Sequence, residues 1–222
     1  EGMLRAGVSK SLTNSYSRDF IAELAMSGVL FDTYRLSDIH AIDISRYRLV
    51  IFAHTLAIGG DVPGWARSLE ARGATLMFNY AAGYYTGERA GLDNVRAFTG
   101  FSCAQDGLSA DGGCPMLFIA DADAEILAEE NGRAKLVRRG RRVMNCLSRI
   151  TRCQLREIAE RANCRLIGEA GAVYYGDARF TGVFFSGENA IHLPEKADWR
   201  DLASGALYAD TDCVRTDGAK AM

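Results

Sequence analysis

The chain has little of what marks a metal, redox or nucleic-acid protein. Only three histidines occur in its 222 residues, His40, His54 and His192, far apart, and its six cysteines (Cys103, Cys114, Cys146, Cys153, Cys164, Cys213) contain no C-x-x-C pair. Structural zinc draws on closely spaced pairs of such ligands, so neither a metal nor a cofactor is expected. An excess of one charge is missing too. With 26 basic against 28 acidic residues the formal net charge is -2, which leaves no basic footprint for nucleic acid or an anionic membrane. The start, "EGMLRAGVSKSLTN", has no basic segment leading into an apolar run, so neither leader nor membrane anchor is expected there. Glu1 in place of Met reads as the start of a fragment of a longer polypeptide. No internal repeat and no low-complexity linker interrupts the chain. A chain this long does not need disulfide staples, and the thiols read as reduced and the protein as cytoplasmic.

What is present suits an ordinary soluble fold. A hydrophobic share of 48% against 24% charged residues can bury a substantial core, and residues 1–222 are read as a single domain. "SRDFIAELAMS", Ser17 to Ser27, carries Phe20, Ile21, Leu24 and Ala25 on one helical face. "LFDTYRL" alternates as a short strand would, and "RLVIFAH", Arg48 to His54, has the continuous apolar run of a strand covered on both faces. "GGDVPGWARSLEARG" then reads as a helix with Pro63 near its start and Gly73 at its end, before a second buried strand, "ATLMFNY". This alternation predicts βαβ units and an α/β fold: an open, mostly parallel sheet with helices on both faces. Further on, "ERAGLDNVRAFTGF" reads as a short helix, "SCAQDGLSADGGC" as a Gly- and Asp-rich excursion, and "PMLFIAD" as a strand. A turn is expected at Asn131-Gly132, and a helix over Thr151 to Cys164 with Thr151 as N-cap. Short strands with glycine turns, from about 180 to 222, predict a small C-terminal β extension.

The candidate chemistry centres on "NYAAG", which follows the second buried strand. A nucleophile elbow places its reactive residue on a sharp strand-to-helix turn flanked by small residues. In class I glutamine amidotransferases the pattern is GxCxG, which lays Asn79 on the first glycine, Ala81 on the nucleophile and Gly83 on the last glycine. Alanine carries no nucleophilic atom, so covalent catalysis at Ala81 is excluded by its chemistry. "IHLPE" sets His192 and Glu195 three apart in a strand followed by a proline turn, so their side chains diverge and His192 is a weak base candidate. Cys103, in "GFSCAQDG", is the remaining nucleophile candidate, with a loop or edge-strand thiol as the plainer reading. Asp121, Asp123 and Glu125 alternate like a calcium loop, but the sixth and twelfth positions hold Ile126 and Gly132; a solvated acidic turn fits better. The basic run Lys135 to Val143 reads as an exposed hairpin balancing those carboxylates. Gly59 and Gly60 stand beyond a strand end where α/β folds bind ligands, but no GxGxxG follows.

Taken together, "DISRYRLVIFAHTLAI", "ARGATLMFNYAAGYYTG", "NVRAFTGF", "LREIAERANCRLIGEAGAVYYGDARFTGVFFSG" and "AIHLPEKADWRDLASGALY" stand in the order of a known module. They resemble the amidotransferase-like domain, also called the β-galactosidase trimerisation domain, of family 42 β-galactosidases and related glycoside hydrolases. The resemblance runs from Phe20 to Leu207. It implies a class I glutamine amidotransferase-like, flavodoxin-like fold whose elbow has lost its cysteine, and a role in subunit contacts and at the rim of a neighbouring active site. The implied partners are further copies of the chain, as a trimer, or a glycosidase barrel in the same polypeptide. The family's catalytic carboxylates lie on that barrel and have no counterpart here, so the chain alone is expected to hydrolyse nothing. The family's first strand lies upstream of Glu1, and the 102–114 excursion has no counterpart in it. Two rival readings stand beside this one: a hydrolase or amidotransferase relative using Cys103 with His54 or His192 as base, and a carbohydrate-binding module using Tyr84, Tyr85, Trp65 or Trp199.

Overall fold

The apolar runs on either side of the Pro63 helix form two neighbouring strands, and the rest of the first part of the chain is built around them. A computed structural model describes residues 14–87, 89–108, 115–176, 180–184, 189–202 and 204–216. Strand β1 (Leu49–Phe52) pairs in parallel with β3 (Thr75–Asn79), and helix α2 (Val62–Ala71) makes the crossover between them. Pro63 sits in the first turn of α2, where its missing N–H has no intrahelical partner to lose, and Val62, Ala66 and Leu69 form the buried stripe. A short helix α1 (Asp19–Ala25) precedes this unit in sequence, and α3 (Leu92–Thr99) follows it, burying Val95, Phe98 and Thr99.

The chain divides into two compact units: Tyr34–Ile150 with the residues up to Ile21, and Ala22–Thr33 with Thr151 onward. In the first, β3 is flanked on its other side by β10 (Arg142–Asn145), again in parallel. From there the direction changes, because β9 (Arg133–Arg139) and β8 (Glu125–Glu130) continue the sheet as antiparallel hairpins turning at Asn131-Gly132 and Gly140. The strand order is β1-β3-β10-β9-β8. One register row lays Phe52, Phe78, Met144 and Val137 side by side. Phe52 and Phe78 stack at 5.1 Å, Phe98 of α3 meets both edge-on, and Trp65 of α2 meets Phe52 edge-on. Both helices therefore pack on the same face of the sheet. The alternate residues Met77, Val143 and Leu136 are just as completely buried.

Around this sheet lie smaller ones. β2 (Ala57–Ile58), β4 (Tyr85–Thr86) and β5 (Arg89–Ala90) form a three-stranded lip, and β6 (Cys103–Leu108) pairs antiparallel with β7 (Pro115–Ile119). In the second unit α4 (Arg152–Arg161) opens with a capping box: the Gln154 N–H donates to Thr151 Oγ1, and the Thr151 N–H donates to Gln154 Oε1. Two hairpins follow, β11 (Val173–Gly176) with β12 (Thr181–Phe184), and β13 (Asn189–Arg200) with β14 (Leu207–Thr216).

These observations correct the expected architecture. There is no single open, mostly parallel sheet with helices on both faces, as a class I glutamine amidotransferase-like or flavodoxin-like fold requires. The strands are divided among five small sheets, and of the nine strand pairings only β1–β3, β3–β10 and β2–β4 are parallel among the described residues. Two-residue Gly turns between β8, β9 and β10 permit only antiparallel return, and short β strands dominate over helices. "LFDTYRL" lies outside any strand up to Arg35, and Leu36 opens a short 3-10 turn, so alternation there does not become a strand. Nor does Pro194 turn the chain. It lies inside β13, where the register shifts between His192 and Ala197, a bulge at the residue with no N–H to give the ladder. The 102–114 excursion is half described: its first part is β6, and residues 109–114 with Cys114 lie outside the described residues.

Candidate functional site

Three parallel strands, β1, β3 and β10, end together, and the segments that leave them form the candidate site at the carboxyl edge of the sheet. Asn79 and Asn145 are the terminal residues of β3 and β10 and sit opposite one another in register. Both are buried, and Asn145 Nδ2 donates to Asn79 Oδ1 at 3.1 Å while Asn145 Oδ1 accepts from the Leu147 N–H. Asn79 Nδ2 and Thr55 Oγ1, three residues past the end of β1, are buried without a partner among the described residues. Buried polar groups of this kind are uncommon and are ordinarily met by water.

The turn itself is tightly laced. Tyr80 has φ 52, the left-handed region that a bulky residue enters only when its surroundings hold it there. Three contacts do so: its N–H donates to the Asn145 carbonyl, its hydroxyl donates to the Pro115 carbonyl at 2.6 Å, and its ring lies 5.1 Å from that of Tyr16. Ala81 and Ala82 are buried in the core beyond it. Gly83 has φ +81, and a Cβ there would come within 3.0 Å of the Phe98 side chain. Its N–H donates to Thr55 O and that of Tyr85 to Leu56 O, which ties the turn to the segment leaving β1. The sharp backbone predicted at Ala81 therefore falls one residue earlier. Ala81 presents a buried methyl group, and the Tyr80 hydroxyl is committed to a carbonyl.

The other candidates are dispersed. His54, beyond β1, is exposed on one side; partial desolvation holds its imidazole below the ordinary value, opposed by a hydrogen bond to the Tyr16 backbone. Cys103 is half-buried on β6, and Cys146 is buried just past the end of β10. The influence of the Cys103 side chain, with burial, pushes the Cys146 thiol well above its ordinary value. His192 belongs to the second unit, exposed in β13 opposite Cys213, with its backbone N–H given to Ile167 O and its carbonyl taken by Arg165. Asp121 accepts the Ser102 N–H, and Asp123 pairs with Arg139 at 3.1 Å. Among the described residues no three acidic, His or Cys side chains gather as a metal site would need. Most of the basic run is spent internally: Arg139 on Asp123, Arg142 on Glu70, Arg141 on the Gly73 carbonyl. Of the aromatics, Trp65, Tyr84 and Tyr85 are half-buried against the core, Tyr84 and Tyr85 in edge contact at 5.0 Å, and Trp199 donates to the Glu195 carbonyl. No helix among the described residues is long and apolar enough to cross a membrane.

Three residues at this edge carry no sequence motif: Asn145, Cys146 and Lys135. One signal was available for the first, since "LMFN" and "RVMN" are both apolar runs closed by asparagine. Lys135 was read as part of an exposed hairpin but is buried, its ammonium donating to the Leu117 carbonyl at 2.6 Å.

The chain matches no family model and no curated protein. Solved structures do share its fold. The β-galactosidase from Bacillus circulans sp. alkalophilus superposes with a TM-score of 0.56 at 15% identity, over 80% of this chain and 32% of its own. A catalytic mutant of a GH42 β-galactosidase from G. stearothermophilus gives 0.55 at 16% identity, over 94% of this chain and 35% of its own. The cold-adapted β-galactosidase from a Rahnella species gives 0.56 at 14% identity, over 90% of this chain and 36% of its own. The chain thus spans about a third of the length of the β-galactosidases it matches.

Proposed function

We propose that this chain is a non-catalytic accessory and oligomerisation module of a β-galactosidase-like glycoside hydrolase, equivalent to the trimerisation domain of family 42 enzymes. The observation that carries the reading is a one-sided aromatic face on the β11–β12 hairpin. Val173 and Phe184 are partners there, as are Tyr175 and Gly182, so all four share a side. The Phe180 ring lies over Gly182 on that same side, within 3.2 Å of where a Cβ would be. Tyr175, Phe180 and Phe184 are 63%, 51% and 61% exposed. The opposite side, Tyr174 with Val183, packs inward on Ile167 and Ala172. Clustered exposed aromatics of this kind mark contact surfaces, and self-association through them would bury the patch.

The likeness to about a third of each β-galactosidase chain supports an accessory role, and the alanine-lined bend supports the absence of chemistry in it. A cytoplasmic setting fits the five described cysteines, all of them free thiols. The rival hydrolase reading loses support because, among the described residues, no hydrogen bond joins Cys103 to a histidine, and His192 lies in the other unit of the chain. The test is to incubate the protein with chromogenic β-galactosides, with glutamine, and with a thiol-directed probe at neutral pH. No turnover is expected. Turnover of an amide coupled to selective labelling of Cys103 would overturn the proposal.

A further inference from the structure

We propose that Tyr34 and Tyr47 form an oxidative modification site, which a one-electron oxidant joins into a dityrosine cross-link that pins the chain where it enters the first unit. Their hydroxyl oxygens share a hydrogen bond at 2.7 Å, and their rings meet edge-on with centroids 6.1 Å apart. Arg46 holds the pair together. Its Nη2 donates to the Tyr47 oxygen at 2.8 Å and to the Tyr34 oxygen at 3.4 Å, and its guanidinium lies 5.0 Å from the centre of the Tyr47 ring. Tyr34 is 45% exposed, so an oxidant reaches it from solvent.

Two other tyrosine pairs stand as close and lack this combination. Tyr16 and Tyr80 have rings 5.1 Å apart, but both are buried and the Tyr80 hydroxyl is given to the Pro115 carbonyl. Tyr84 and Tyr85, at 5.0 Å, are half-buried against the core, and no hydrogen bond joins their hydroxyls among the described residues. The bonded hydroxyls matter because the unpaired electron of a phenoxyl radical is shared between its oxygen and the ring carbons beside that oxygen. Holding two such groups together makes their coupling intramolecular. A peroxidase-type oxidant removes one electron and the hydroxyl proton from each tyrosine. The two ring carbons beside the oxygens then join, and the hydrogen on each of them moves to its oxygen as a proton, restoring both phenols. With hydrogen peroxide as terminal oxidant, two phenols and one peroxide give one carbon–carbon link and two waters.

The position of the link gives it a mechanical role. Tyr34 and Tyr47 are 13 residues apart, and the chain passes from the second unit to the first between Thr33 and Tyr34. Between them Ile39 and Ile44 are buried in the main hydrophobic cluster. The link therefore closes a loop that is already anchored in the folded chain and restricts mainly the unfolded one.

The experiment treats the dilute whole chain with peroxidase and limiting hydrogen peroxide, follows dityrosine fluorescence, and maps the cross-linked peptides. The expected result is a product that runs as one chain on a denaturing gel, carries the Tyr34 and Tyr47 peptides joined with the loss of two hydrogens, and melts at a higher temperature than the untreated chain. Tyr34→Phe and Tyr47→Phe should each abolish this link, and Arg46→Gln should lower its yield severalfold. Circular dichroism confirms that each variant is folded. A dominant link within Tyr84–Tyr85 or Tyr16–Tyr80, or an equal Tyr34–Tyr47 yield from the urea-unfolded chain, would overturn the proposal.

Discussion

Asn145 Nδ2 donates to Asn79 Oδ1 at 3.1 Å, joining two fully buried amides at the ends of adjacent parallel strands. Asn145 also accepts the Leu147 N–H, so one side chain holds both the neighbouring strand end and the start of its own exit loop. Asn145→Ala strands an acceptor on Asn79 and a donor on Leu147. The expected loss is about 2–3 kcal/mol, from two hydrogen bonds with buried partners left unmade. Urea denaturation measures it, and an unchanged midpoint would show that the pair contributes nothing.

At the bend, Gly83 combines a left-handed backbone with Phe98 packed against its α-carbon. Gly83→Ala should cost about 1–3 kcal/mol through backbone strain and displacement of the Phe98 ring. Ala81→Cys, by contrast, should fold and release no ammonia from glutamine. A thiol there would be buried in the apolar core, and the hydroxyl of the adjacent Tyr80 is bonded to the Pro115 carbonyl. Ammonia release by that single variant would contradict the account of this turn.

Arg142 grips Glu70 with two nitrogens, at 2.6 Å for the shorter contact, and gives a third bond to the Thr99 carbonyl. The bonds from Arg142 hold the Glu70 carboxyl below its ordinary value of 4.5. A depressed carboxyl contributes stability that is fully present above the unfolded value and is lost as pH falls through the folded one. Glu70→Gln should therefore be less stable than wild type by about 1 kcal/mol at neutral pH, with the gap constant down to about pH 5 and closing below it. Thermal melts across that range check both the sign and the window.

The β1–α2–β3 unit was legible in the sequence because its signals are local: two apolar runs of strand length, a proline in the first helical turn and a glycine past the last. Thr151 was legible for the same reason, since a capping box needs only four residues. The sheet's change of direction was not. The run 125–145 shows its turns at Asn131-Gly132 and Gly140, but nothing local states that β10 will pair in parallel with a strand more than sixty residues earlier. "LFDTYRL" has the alternation of a strand yet enters no sheet, which tertiary structure alone decides. At the site, Ala81 was legible as a residue with no nucleophilic atom, but the left-handed backbone falls on Tyr80, which is held by the Asn145 carbonyl and the Pro115 carbonyl, both distant in sequence. Cys146 and Lys135 carry no motif, and each acquires its neighbours only when β6, β7, β9 and β10 come together.

The central claim is that the chain assembles through the aromatic face of β11–β12. Its most direct test is light scattering coupled to size exclusion, on the wild-type chain and on Tyr175→Ser/Phe184→Ser, with circular dichroism as the control for folding. The account predicts a wild-type homo-oligomer and a folded monomer for the double variant. A wild-type chain that stays monomeric at high concentration, or an oligomer untouched by the two substitutions, would contradict it.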